Sequence, residues 1–364
     1  MLQQSELQEL AERVGDSRSP ILSLYLDVDP HHGSADEQRL SLRRLLAQAV
    51  SQNAAAADVD RVGRFFDHEH NRQGRSVACF SHQATGFWRA FTLLVCVENW
   101  AFVGTRPYIK PLTDVFDEYE RFGVVTVDSE GARAFVYRLG VLEDSAGTLG
   151  AEVKRHKQGG WAAQKLQRHE DEEAKHNLKD AAAWADDFLR EHGVARVVLS
   201  GTDGNVALFR DLLPRPLQDK VIGQVSLDMN ASPAEVWERS FEVAQQAKRR
   251  KELQLLEQTI TAAHKGGAGV VGLADTLAAQ QEGRAYHLFV ARNFHKAGQQ
   301  CQNCSAVVIE SLPACPYCGH ELVPTADVVN AAIQQAIGRG LKVSILEASP
   351  LLEQAGNVAA LLRY

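Results

Sequence analysis

Phe122-Gly123-Val124-Val125-Thr126-Val127, then Asp128-Ser129-Glu130-Gly131, then Ala132-Arg133-Ala134-Phe135-Val136-Tyr137-Arg138: this stretch decides the fold class. Two runs rich in β-branched and aromatic residues flank four turn formers, so 122–127 and 132–138 read as the strands of a hairpin with a four-residue loop. A loop follows, and then a helical pattern from about Ala162 to Arg190. In it Leu178, Ala181, Ala185, Phe188 and Leu189 recur at helical spacing, and Gly193 is placed to stop the helix. Arg196-Val197-Val198-Leu199-Ser200-Gly201 is next, an apolar strand ending in a polar loop. Strand, helix and strand in this order are the grammar of an α/β layer.

The same texture extends in both directions. Upstream, Pro20 to Pro30 reads as a strand closed by proline, with Ile21, Ser23, Tyr25 and Asp27 on one face and leucines on the other. Helical patterns at Asp36–Gln52 and Asp58–Glu69 precede strand-like runs at Val77–Phe80 and Phe91–Val97. Thr105 to Leu112 carries two prolines and marks a domain boundary. Downstream, a helix from Pro233 to about His264 leads to a helix at Leu273–Glu282 and a strand at Tyr286–Ala291. A cysteine-bearing insert, a helix at Ala326–Gly338 and a strand at Val343–Leu346 complete the series. The sequence therefore predicts three α/β domains, near 1–108, 109–245 and 246–364.

With 45% hydrophobic and 23% charged residues in 364, the chain has the make-up of a folded globular protein, not of a disordered, collagenous or coiled-coil one. Lys and Arg number 39 against 46 Asp and Glu, and the net charge of −7 confines any nucleic-acid contact to a local patch. Met1 to Glu6 has no basic or apolar leader pattern, and the most apolar stretch, Phe87 to Gly104, is broken by Arg89, Glu98 and Asn99. The expectation is a cytoplasmic monomer without a membrane partner.

The strongest motif is Cys301-Gln302-Asn303-Cys304 followed by Cys315-Pro316-Tyr317-Cys318-Gly319. Two such knuckles bring four thiolates to one tetrahedral site, and four cysteines leave no open position. The expected ion is a structural zinc in a ribbon at about 298–322, with a short strand at Val307-Val308-Ile309 and His320 as a bystander. A second signal is Lys154 to His169, where an acidic chain holds five Lys or Arg and no carboxylate. Lys154, Arg155, Lys157, Lys165 and Arg168 suit phosphate oxygens, Gly159 and Gly160 allow close approach, and Trp161 offers a stacking face. The stretch reads either as an RNA-facing loop or as an exposed loop with Trp161 tucked onto its own domain.

Other patterns have plainer readings. Gly267-Ala268-Gly269-Val270-Val271-Gly272 matches a dinucleotide fingerprint but follows a helix where a strand is required. His169, Glu173 and His176 share a helical face, read as solvated, as is the run Lys248-Arg249-Arg250-Lys251. Cys79 and Cys96 read as core, and Asp27, Asp29, His31 and His32 as a strand-to-helix loop.

In order, these features resemble the archaeo-eukaryotic peptide chain release factor and Pelota superfamily, in its bacterial release-factor-like branch. The family's middle domain has a Gly-Gly-Gln loop, a long basic helix and a strand of the form Val-Leu-Ala-Gly. Gly159-Gly160-Trp161-Ala162-Ala163-Gln164-Lys165-Leu166-Gln167-Arg168, the helix through Arg190 and Val198-Leu199-Ser200-Gly201-Thr202-Asp203 are similar to those parts. Leu217 to Ile222, Val271 to Leu277 and the segment Gly356 to Tyr364 add to the likeness. The resemblance implies an RNase H-like middle domain and an α/β/α C-terminal domain carrying the inserted zinc ribbon. Trp161 stands where the family has its catalytic glutamine, and no Asn-Ile-Lys-Ser element is present in the first domain. Codon-directed termination is therefore not expected.

What the resemblance implies is a ribosome-binding translation factor in the aminoacyl-tRNA site, with the Gly-Gly-Trp loop near the peptidyl transferase centre, acting in hibernation or rescue. Its partners would be rRNA and tRNA, with a translational GTPase as a candidate deliverer. The alternative is a peptidyl-tRNA hydrolase, in which the Gly159 and Gly160 amides stabilise the oxyanion and Gln164 positions water. A third reading, a nuclease, would need several convergent carboxylates.

Overall fold

The computed structural model describes residues 3–15, 19–71, 73–150, 161–347 and 349–364, with side chains of 161–171 left aside. The protein is a mixed α/β structure with four sheets among the described residues. It divides into two compact units, Met1–Glu118 with Leu253–Tyr364, and Tyr119–Glu252.

The first unit begins with α1 (Gln4–Glu12), β1 (Ile21–Asp27), α2 (Ala35–Ser51) and α3 (Ala56–Arg64), which runs into a π-helical turn at Phe65–Glu69. β2 (Ser76–His82), β3 (Phe87–Leu93), β4 (Trp100–Gly104) and α4 (Lys110–Glu118) follow. The sheet order is β3-β2-β1-β4, antiparallel throughout. β1 is buried on both faces. Leu22, Leu24 and Leu26 pack with Leu42, Leu45 and Ala49 of α2, while Tyr25 meets Phe80 edge-on and its hydroxyl donates to the Tyr108 carbonyl. Ser34 caps α2, and Glu37 returns the bond to the Ser34 amide, which fixes the loop between β1 and α2. β3 spans 87–93, not 91–97. The chain leaves the sheet after Leu93, and the amide of Val97 is taken by the Ser76 hydroxyl at 2.7 Å.

In the second unit β5 (Phe122–Val127), β6 (Gly131–Arg138) and β7 (Val141–Leu149) form an antiparallel meander. The turn between β5 and β6 is set by Asp128, whose Oδ1 accepts the amides of Glu130 and Gly131. After α5 (Trp161–Glu191), β8 (Val197–Gly201) joins β5 in parallel, and α6 (Asp203–Leu212), α7 (Arg215–Gln218) and β9 (Val221–Val225) complete the order β7-β6-β5-β8-β9. Leu178, Ala181, Ala185 and Leu189 of α5 cover one face of this sheet with Val206 and Phe209 of α6. Val236 and Ala244, from the first half of α8 (Pro233–His264), meet Phe122, Val124 and Val198 on the other. β7 is an exposed outer edge where the sequence suggested only a loop.

The rest of the first unit holds β10 (Gly269–Val271), α9 (Leu273–Gln281), β11 (Ala285–Ala291), β12 (Gly298–Cys301), β13 (Val307–Val308) and β14 (Leu322–Thr325). α10 (Val328–Gly338), β15 (Lys342–Leu346), α11 (Pro350–Gln354) and β16 (Val358–Leu362) follow. The larger sheet runs β10-β16-β11-β15, and β13-β12-β14 is a separate small sheet. Gly269 lies against α8, where a Cβ would stand 2.2 Å from the Thr259 carbonyl, so the fingerprint-like glycine serves close packing.

The proline-flanked segment Pro107–Lys110 is held by α10. Asn330 Oδ1 accepts the amides of Ile109 and Lys110, and the side-chain amides of Asn330 and Gln334 donate to the Pro107 carbonyl. Tyr108 donates to Asp327 Oδ2 at 3.1 Å, with His295 Nδ1 3.0 Å from the same oxygen. Lys110, only 3% exposed, donates through Nζ to the Phe294 carbonyl at 2.7 Å. Among the described residues no helix is long and apolar enough to cross a membrane.

Candidate functional sites

The small sheet exists to gather cysteines. Cys301 ends β12 opposite Leu322, and its amide donates to the Ala306 carbonyl; the Cys315 amide donates to the His320 carbonyl and the Gly319 amide to Cys315. These turns bring all four sulfurs within 4.8 Å of one another, with Cys301 and Cys318 3.4 Å apart and Cys304 and Cys315 3.6 Å apart. A tetrahedral ion with bonds of about 2.3 Å has sulfur–sulfur edges of roughly 3.8 Å, so the four residues fit a metal ion. Gly319, at φ +75°, makes the left-handed turn after the last ligand. The His320 amide helps pull the Cys318 thiol down to about 5, whereas burial pushes Cys304 up to about 12. His320 stands outside the set, its Nδ1 3.1 Å from the Cys318 carbonyl oxygen.

Of the basic stretch, Lys154, Arg155, Lys157, Gly159 and Gly160 lie outside the described residues. Trp161, Gln164, Lys165 and Arg168 fall within the first turns of α5. His176 pairs at 3.6 Å with Asp180 on the exposed surface, and Lys248 with Glu252 at 3.0 Å, while Arg249, Arg250 and Lys251 are exposed.

A second cluster involves residues the sequence reading kept apart. Cys79 is core as expected, but Cys96 is only half-buried and lies 3.7 Å from His32 Nδ1 and 3.5 Å from Asp29 Oδ2. His32 Nδ1 is in turn 2.7 Å from Asp27 Oδ2. Burial first, then the carboxylates of Asp27 and Asp29, push the Cys96 thiol up to about 11 against the opposing pull of Arg75. Asp29 is held down at about 2 by the His31 amide and Arg75. No local pattern could have joined Cys96 to His32, 64 residues earlier.

Residues 107–245 match the family model of the bacterial archaeo-eukaryotic release factor family 10. This segment belongs to the bacterial release-factor-like branch. The release-factor-like segment takes in α4, the whole β7-β6-β5-β8-β9 sheet, the basic stretch and the start of α8. Similar chains occur among solved structures as well. Dom34 of S. cerevisiae, a translation termination-like factor involved in RNA quality control pathways and interacting with Hbs1, is 12% identical over 79% of each chain at a TM-score of 0.40. Pelota of Archaeoglobus fulgidus is 15% identical over 81% of each chain at 0.36. Archaeal Pelota from a ribosome-bound model with ABCE1 is 12% identical over 100% of this chain and 94% of that one at 0.40. No curated protein sequence matches the chain. At these identities and scores the structural likenesses carry no functional argument, and the family match stands by itself.

Proposed function

We propose that this protein is a ribosome-binding translation factor of release-factor type, working in ribosome rescue or hibernation in the cytoplasm. The family match over residues 107–245 carries the reading. The cationic stretch supports it. Lys154, Arg155, Lys157, Lys165 and Arg168 concentrate positive charge on a chain of net charge −7, which suits a local contact with rRNA or tRNA phosphates. The Gly159-Gly160-Trp161 loop would approach the peptidyl transferase centre from the aminoacyl-tRNA site, followed by the helical turns that hold Gln164, Lys165 and Arg168. With Trp161 in the glutamine position, the loop keeps its backbone amides for oxyanion stabilisation, and Gln164 is the residue left to orient water.

An RNase H-like middle domain within the division 1–108, 109–245 and 246–364 is in keeping with the meander extended by two parallel strands. Zinc is the ion we assign to Cys301, Cys304, Cys315 and Cys318; bound there, it would hold the ribbon at about 298–322 together and do no catalysis. A translational GTPase is a candidate delivery partner, and we take the free protein to be a monomer.

The test is co-sedimentation with vacant ribosomes and with ribosomes carrying peptidyl-tRNA, scoring ester hydrolysis in the same samples at two salt concentrations. Binding that weakens with salt is expected, and charge reversal at Lys165 and Arg168 should abolish it. Binding without hydrolysis supports a hibernation factor, whereas hydrolysis lost in Gln164→Ala supports a rescue hydrolase. Absence of binding at both salt concentrations refutes the ribosomal reading.

A further inference from the structure

We propose that Asp27, His32 and Cys96 form a second metal site, which takes a divalent transition ion such as zinc or cobalt through one oxygen, one nitrogen and one sulfur. The three donor atoms lie within 4.8 Å of one another. Their arrangement separates two chemistries. In a cysteine–histidine–aspartate relay the two ring nitrogens serve different partners, one the nucleophile and the other the carboxylate. Here a single atom, His32 Nδ1, faces both Asp27 Oδ2 at 2.7 Å and Cys96 Sγ at 3.7 Å. One nitrogen flanked by an anionic oxygen and a sulfur is the set a borderline-soft cation gathers.

The surroundings hold the donors in place without the ion. The second oxygen of Asp27 accepts the Asp29 amide at 2.8 Å, leaving Oδ2 for the site, and the Asp27 amide donates to Asn99 Oδ1 at 2.7 Å. The Val97 amide donates to the hydroxyl of Ser76, the residue paired with Asp27 across β1 and β2, so Cys96 is anchored from its neighbour. Asp29 is a positioning residue: Arg75 neutralises it at 2.5 Å while its Oδ2 lies 3.5 Å from the Cys96 sulfur. The His32 side chain is 50% exposed and that of Asp27 23%, which opens the site to solvent and allows water to complete a tetrahedron. On binding, Cys96 releases its thiol proton to solvent and neutral His32 supplies its Nδ1 lone pair. The carboxylate–imidazole distance then opens to about 3.3 Å, the edge expected for bonds near 2.0–2.1 Å. Three protein ligands and a water distinguish this site from the closed four-cysteine set.

The full chain, stripped with a chelator, is titrated with Co2+ alone while visible absorption is recorded, and metal content is measured after desalting. Two equivalents are expected, one with the strong sulfur-to-cobalt charge transfer of four thiolates and one with the weaker band of a single thiolate. Cys96→Ser and His32→Gln should each lose the second equivalent and keep the first. Circular dichroism and thermal melting in chelator check that the variants fold; if one does not, the other decides. A wild-type chain that takes one equivalent only, or a second equivalent that persists in a folded variant, overturns the proposal.

Discussion

Lys110→Met tests the energetics of the segment that leads into the release-factor-like sheet. Lys110 is 3% exposed, and burial lowers its ammonium from 10.5 to about 8 even though Asp327 and Asp114 pull the other way. At ~1.4 kcal/mol per pH unit, that depression corresponds to about 3 kcal/mol of destabilisation whenever both states are protonated. The sign follows from proton counting. Below about pH 8 folded and unfolded chains both carry the proton, and the fold bears the full cost. Between there and 10.5 the unfolded chain keeps the proton that the folded chain has lost, so this group's contribution to stability rises with pH. Methionine keeps the length and removes the charge. The stability of the wild type minus that of Lys110→Met should therefore climb by about 3 kcal/mol from pH 7 to pH 11, whatever constant offset the lost bond to Phe294 adds. Urea unfolding read by hydrogen exchange in α10 and β1 measures it within the first unit. A difference that stays flat or falls across that range would refute the burial argument.

Chelation, or Cys318→Ser, should free the small sheet, seen as faster hydrogen exchange confined to 298–325 with β5 and β8 unchanged. At Gly319 a Cβ would meet no atom within 4 Å, so Gly319→Ala costs only the left-handed backbone, ~1–2 kcal/mol, and should weaken cobalt binding at the four cysteines about tenfold. Lys165→Ala and Arg168→Ala should each flatten the salt dependence of ribosome binding by about one unit of log–log slope; an unchanged slope would place those residues off the phosphates. Leu189, fully buried between α5 and β5, should cost ~2–5 kcal/mol when cut to alanine, measured by urea unfolding of the second unit.

Long elements with strong punctuation were readable from the residues alone. The expected helices at 162–190 and 233–264 meet observed bounds of Trp161–Glu191 and Pro233–His264, because Gly193 and the Gly266-Gly267 pair mark their ends. The cysteine knuckles were equally plain, since their spacing is local. β7 was not readable: Leu142 to Gly147 is exposed and shows no apolar–polar alternation, and it is a strand only because β6 offers its edge. β16, built of Val, Ala and Leu, hides its period for a different reason: both faces are covered, Val358 and Ala360 packing in one core and Ala359 and Leu361 in another. Cys96 was misjudged by its apolar neighbours Val95 and Val97, since what draws it out of the core is Ser76 and the β1 terminus, both distant in sequence.

The place of β16 bears on how the molecule is made. β10 and β11 are separated by a single helix, yet they never pair; β16 lies between them and binds both. Until residues 358–362 have been synthesised, each flanking strand presents an unsatisfied edge to its surroundings. The nascent chain therefore emerges with a vacant slot in this sheet, open to rival strands from neighbouring polypeptides, and its yield in the cell should depend on chaperones that shield the slot until the last strand arrives.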